Sequence, residues 1–142
     1  MQLWHLHPFT VHFPIALLLM GCGLHLLNLR WRQNVLQHTV RVLLAAGLLG
    51  LLAAIPTGLL AYKTAPHIPD AWEVQAEHKR LGFWTLATGM GLVAASIWRT
   101  QSPPSWVWHL ETVLWLTVAA LVLATAWHGG QLVFIYGTGV LK

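Results

Sequence analysis

Residues 10–29 read TVHFPIALLLMGCGLHLLNL, a run without a single Asp, Glu, Lys or Arg. A helix of roughly 20 apolar residues is long enough to cross the hydrocarbon core of a bilayer. Three more charge-free windows follow. Val42–Tyr62 lies between Arg41 and Lys63, and Leu81–Trp98 between Arg80 and Arg99. The last begins at Thr112 and reads TVLWLTVAALVLATAWHGGQLVFIY over residues 112–136, between Glu111 and Lys142. Lipid offers the backbone no hydrogen-bond partner, so runs of this length become helices. The alternation of a barrel strand is absent.

Composition agrees. Of 142 residues, 56% are hydrophobic and 8% charged, where a soluble domain carries about 25% charged residues. So few charges cannot wet a globule of this size, which excludes an ordinary soluble enzyme, a nucleic-acid binder and a disordered tail. The formal charge of +4 arises from eight Lys and Arg against four acids and forms no basic patch. A single cysteine, Cys22, excludes a disulfide framework and a cysteine-based metal site, and reads as packing. The first 29 residues hold no charged side chain, so a cleavable secretory leader is not expected.

The windows are joined by short links: Asn28–Arg41, Lys63–Arg80 (with Pro66, Pro69 and Asp70) and Arg99–Glu111 (with Pro103 and Pro104). Short links make sequential helices antiparallel. The expected fold is all-α: an integral membrane four-helix bundle, up-down-up-down, one domain over 1–142 with spans at about 10–29, 42–62, 81–98 and 112–136. Trp4, Trp31, Trp72, Trp98, Trp106 and Trp108 fall near span ends as an aromatic belt, whereas Trp84, Trp115 and Trp127 lie inside. Arg30, Arg32, Arg41 and Arg99 sit on one side, and Lys63, Lys79, Arg80 and Lys142 on the other. The arginines clustered around the first link favour a cytoplasmic position for it, which places both termini outside.

Nine histidines accompany four acids. An ionisable residue within a span is a functional candidate. In an up-down-up-down bundle the start of the first span, the start of the third and the end of the fourth share one membrane face. His7, His12, His78 and His128 therefore converge at one level. Neutral imidazole is the commonest metal ligand and also a haem ligand, so these four are the candidate metal set. The competing reading is a hydrogen-bond network at the interface. His5, His25, His38, His67 and His109 read as histidines satisfied by backbone or headgroups. His25 lies thirteen residues after His12, about 220° around the helix. With His109 it forms a possible second pair near the opposite surface.

His78, Gly82, Thr85 and Gly89 fall at about 0°, 40°, −20° and 20° around a helix, one stripe of a ligand and small side chains. A flat macrocycle lying along a helix needs such a groove; a close helix–helix interface needs one equally. Gly21, Gly23, Gly47 and Gly50 read as close-packing positions, Gly129 and Gly130 loosen the fourth span beside His128, and Tyr136–Gly139 reads as a surface turn. Pro8 suits a first helical turn, with Pro14 within the first two turns or itself marking the start.

At these residues the chain resembles the bacterial domain-of-unknown-function 2231 family of small four-helix membrane proteins. The resemblance rests on His7-Pro8-x-x-Val11-His12-Phe13-Pro14-Ile15-Ala16-Leu17, on Thr57-Gly58, on His78-x-x-x-Gly82, and on His128-x-Gly130-x-Leu132-Val133 continuing to Gly137-x-Gly139-Val140. It implies a four-helix bundle with His7, His12, His78 and His128 as motif histidines. Members fused to Rieske or cytochrome-like domains, and a fold similar to two-haem membrane cytochromes, point to electron transfer. His25 and His109 lie outside the motifs.

The leading expectation is a b-type cytochrome-like electron-transfer subunit of the bacterial inner membrane, binding haem b near the outer face. Its axial ligands are His12 or His78 with His128, and Gly82, Thr85 and Gly89 line the groove. The alternatives are a copper or zinc site built from His7, His12, His78 and His128, and a non-redox accessory subunit, pigment-binding in one version. Partners are the lipid bilayer and other subunits of a membrane redox complex, with no nucleic acid. A stand-alone enzyme is disfavoured. No carboxylate pair lies within a span, and there is no phosphate-binding glycine loop and no recognisable Ser/His/Asp motif. No inverted repeat supports a transporter.

Overall fold

The computed structural model describes residues 3–66, 68–101 and 104–139. His67, Pro103, Val140 and Lys142, all used above, lie outside them. The described chain forms four long helices: α1 (Leu6–Trp31), α2 (Asn34–Thr64), α3 (Trp72–Trp98) and α4 (Trp106–Phe134). Short 3-10 turns at Leu3–His5 and Pro69–Ala71 lead into α1 and α3. Each helix is long and apolar enough to cross a membrane.

The helices outrun the charge-free windows. The first link shrinks to Arg32 and Gln33, and residues 72–80, read as loop, are helical. The reason is that a charge-free window measures the hydrocarbon core. Gln, Glu, Lys and Arg sustain a helix well in the wetter interface beyond it. At the first link Arg32 turns left-handed (φ 49°), and the Asn28 side-chain oxygen accepts the Gln33 N–H at 2.9 Å. Because α1 begins at Leu6, Pro14 lies in its third turn, later than expected, and is buried.

Burial is inverted relative to a water-soluble protein. His25, Asn28, Thr85, Ser96, Arg99 and Glu111 are buried, while Phe9, Phe13, Leu49, Trp127 and Phe134 are exposed. Phe134 is 89% exposed and Glu111 1%. Apolar side chains standing outward on every helix are what lipid, not water, rewards.

Contacts along the helices establish their directions. Pro14, Leu18 and Gly21 of α1 meet Gly50, Gly47 and Leu43 of α2, an antiparallel register. Likewise Gly89 meets Leu48, and Lys79 covers the ring of Tyr62, between α3 and α2. Arg99 at the end of α3 pairs with Glu111 of α4, and His78 with Thr125. Gly21 and His25 of α1 meet Trp115 and Thr112 of α4. Adjacent helices are antiparallel all the way round. Contacts are densest within two hairpins, α1–α2 and α3–α4, and sparser across the seams between them.

Without a hydrophobic drive between helices in lipid, close packing carries association. Leu18, Cys22, Leu44, Leu51, Leu92, Trp115, Val118 and Val122 fill the centre. Three of the four glycines read as packing positions do pack. A β-carbon on Gly47 would stand 2.7 Å from Leu18 Cδ2, on Gly50 2.9 Å from Pro14 Cδ, and on Gly21 2.6 Å from the Trp115 ring. Gly23 differs, with nothing within 4 Å. Gly50→Ala is therefore expected to destabilise by about 1–3 kcal/mol, because the Pro14 ring and backbone cannot swing away. Gly23→Ala is expected to be neutral or to stabilise by up to about 1 kcal/mol through helix propensity. Thermal midpoints in detergent check the pair; equal effects would contradict this packing.

Candidate functional site

The starts of α1 and α3 and the ends of α2 and α4 meet at one end of the bundle, and the histidines sort themselves there. His7 points from α1 onto α2. Its Nδ1 donates to the Ala54 carbonyl at 3.1 Å, with Thr57 Oγ1 at 3.4 Å. Thr57 in turn meets Thr10 Oγ1 at 2.9 Å. The ring lies against Gly58, where a β-carbon would be 2.9 Å from His7 Cε1 and 3.1 Å from Nδ1. The otherwise uninformative Thr57-Gly58 pair is thus a seat for an imidazole.

His78 repeats the arrangement in the other hairpin. From α3, its Nδ1 donates to the Thr125 carbonyl of α4 at 2.9 Å, and its ring covers Gly129, whose added β-carbon would lie 3.1 Å from Cε1. The two rings then meet across the seam between hairpins, centroids 6.0 Å apart and planes at 82°. His128 immediately precedes Gly129, the residue that the His78 ring covers. Its own Nδ1 donates to the Ala124 carbonyl at 2.8 Å.

A carbonyl oxygen cannot donate, so each of these bonds requires the proton on Nδ1. The neutral ring then carries its free lone pair on Nε2. This is the arrangement by which a second-shell carbonyl orients a metal-ligating histidine.

His12 is not brought to this group. Five residues after His7, it lies about 140° around α1. It is exposed, with Nδ1 donating to the Pro8 carbonyl of its own helix at 2.5 Å. Among the described residues no group of three or more His, Cys, Asp or Glu is arranged to hold a metal ion. The structure therefore gathers His7 and His78, with His128 alongside, and leaves out His12. The small-residue stripe on α3 also divides. A β-carbon on Gly82 would have nothing within 4 Å, leaving open space one turn from His78. Thr85 is buried with its hydroxyl on the Leu81 carbonyl, and Gly89 is filled by Leu48. Only at Gly82 is the stripe open; at Thr85 and Gly89 it is packed.

Two polar groups at this end have no partner among the described residues: Trp4 Nε1 and Thr138 Oγ1, both buried. The expected turn at 136–139 forms, with Gly137 at φ 66° and the Thr138 N–H on the Leu132 carbonyl at 2.8 Å. It folds back over the start of the chain, since a β-carbon on Gly139 would be 3.4 Å from Trp4. Sequence reasoning missed Trp4 as part of this end; its belt position hid that role.

At the other end His25 meets a side-chain hydroxyl, not the backbone or headgroup partner expected of it. It is buried, its Nε2 meets Thr112 Oγ1 at 3.0 Å, and it stacks on Trp115. His38 and His109 are exposed, and His5 packs edge-on against Trp4.

Four antiparallel membrane helices with opposed, carbonyl-anchored imidazoles at one end define a small polytopic membrane protein with a histidine centre. A family model described as "Predicted membrane protein (DUF2231)" matches residues 4–142, and the chain belongs to that family. No curated protein and no solved structure matches it.

Histidine selectively labelled with 15N is expected to show His7, His78 and His128 of the cofactor-free protein protonated at Nδ1. Gly58→Ala should change the His7 signals, because its methyl occupies the ring's seat, and Gly82→Ala should leave them unmoved. A proton on Nε2 of His7 and His78 would contradict the geometry.

Proposed function

We propose that the protein is a redox subunit of the bacterial inner membrane, of the b-type cytochrome class, holding one haem b at the histidine end through Nε2 of His7 and His78. The observation that carries this reading is the pair of rings meeting edge-on across the hairpin seam, each with Nδ1 tied to a carbonyl of the neighbouring helix. With Nε2 of both neutral rings unprotonated and the centroids 6.0 Å apart, His7 and His78 would supply the two imidazole ligands of a haem. Open space beside Gly82 suits the macrocycle's edge, and the unpartnered Trp4 Nε1 and Thr138 Oγ1 offer hydrogen-bond capacity for its polar substituents.

Bound iron would supply one-electron chemistry, and His7 and His78 would hold it. The chain's part is to orient. Ala54 and Thr125 fix the tautomers, Gly58 and Gly129 admit the rings, and the exposed apolar faces meet lipid or other subunits of a redox complex. The histidine end and both termini face outside, and the arginines of the opposite end face the cytoplasm.

A second reading adds Nε2 of His128, one residue from the Gly129 that seats His78, to those of His7 and His78 as ligands of a copper or zinc ion without a macrocycle. It requires the three to draw together, since no such group is arranged for a metal among the described residues. Absorption spectra and elemental analysis of the purified protein separate the two. The expected result is a Soret band, a sharp α-band on reduction and one iron per chain, with occupancy falling at least tenfold in His7→Ala and His78→Ala and unchanged in His12→Ala. A colourless protein with one copper or zinc, lost in His128→Ala, would replace haem by the ion. Protein carrying neither would remove the redox function.

A further inference from the structure

The opposite end of the bundle carries an excess of positive charge, most of it half-buried or exposed. Arg99 pairs with Glu111 at 2.7 Å, their side chains 4% and 2% exposed. With its amide oxygen turned to the arginines, Gln37 accepts from Nη2 of both Arg41 and Arg99 at 2.6 Å. Arg99 also lies over the Trp108 ring, 4.5 Å from its centroid. The other three acids, Asp70, Glu73 and Glu77, belong to the histidine end, so Glu111 is the only carboxylate here. It stands against Arg41 and Arg99 within the cluster and the exposed Arg30 and Arg32 nearby. Arg41 Nε and Arg99 Nε are buried without a partner among the described residues. The buried Arg99 is balanced by Glu111, which leaves the half-buried Arg41 as the cation without a carboxylate of its own among the described residues.

A groove of about 300 Å³ opens beside Arg41 between α2 and α3. Arg41, Ser96 and Thr100 border its polar end, and Leu44, Ala45 and Val93 line its apolar remainder toward the membrane centre. Cation above and hydrocarbon below is the profile of an anionic amphiphile.

We infer that this groove binds a phosphate-bearing anion, the headgroup of an acidic phospholipid whose acyl chain lies along Leu44, Ala45 and Val93. Arg41, which borders the groove, supplies the positive charge to the phosphate. The site lies at the opposite end of the bundle from the histidine centre. On the cytoplasmic side, where anionic lipid concentrates, such a seat pins the arginine end at the headgroup level.

The test uses full-length protein delipidated in neutral detergent, then titrated with phosphatidylglycerol, phosphatidylcholine or inorganic phosphate. Bound lipid is counted by native mass spectrometry and the thermal midpoint is recorded. The expected result is one retained phosphatidylglycerol per chain and a raised midpoint. Affinity should fall at least tenfold both in Arg41→Gln, which removes charge at the polar end, and in Ala45→Phe, which keeps the charge and fills the groove. Equal retention of phosphatidylcholine, or retention of phosphatidylglycerol unaffected by both substitutions, would overturn the proposal. Inorganic phosphate raising the midpoint as much as the lipid, and displacing it, would overturn the lipid as source in favour of the free anion.

Discussion

Two hydrogen bonds organise the functional end of this molecule: His7 Nδ1 to the Ala54 carbonyl and His78 Nδ1 to the Thr125 carbonyl. Each joins the first helix of a hairpin to the second. Each accepting carbonyl belongs to a helix, and that of Ala54 also accepts the Thr57 hydroxyl at 2.9 Å. In a membrane such a bond has no competing water. It fixes a tautomer, and the tautomer decides which nitrogen is left to bind something else. Gly58 and Gly129 are the steric half of the same device, since a side chain at either position would push the ring from its carbonyl.

The rest of the bundle exists to hold those two hairpins at a set separation. Glycines at 21, 47 and 50 let Trp115, Leu18 and Pro14 bring α1 close to α4 and α2, and Gly89 admits Leu48 between α3 and α2. At the far end the buried Arg99–Glu111 pair ties α3 to α4. Breaking such a pair by removing one partner is far more damaging than replacing both. The molecule is thus clamped by packing in the middle and by charge at one end. At the other, two hairpins meet mainly through aromatic rings and a turn folded over Trp4.

Much of this was legible in the sequence. Charge-free windows predicted four helices and their order, and the span depths alone placed His7, His78 and His128 at one level. Helix ends were misjudged because polar residues such as Arg41 and Glu77 stay helical in the interface. His12 was placed in the cluster by depth; its angle around α1, 140° from His7, excludes it, and that angle was available only once the start of α1 was known. Arg99 and Glu111 looked like boundary markers and turned out to be buried partners. Sequence gives the position of a charge along a helix but not the neighbour that receives it.

X-ray absorption at the metal edge of protein isolated from membranes tests the central claim most directly. The account calls for iron with two axial imidazole nitrogens at about 2 Å, with the outer-shell scattering of histidine, and for loss of that scattering when His7 or His78 is replaced. A metal bound only through oxygen or sulfur, or no metal edge above background, would contradict it.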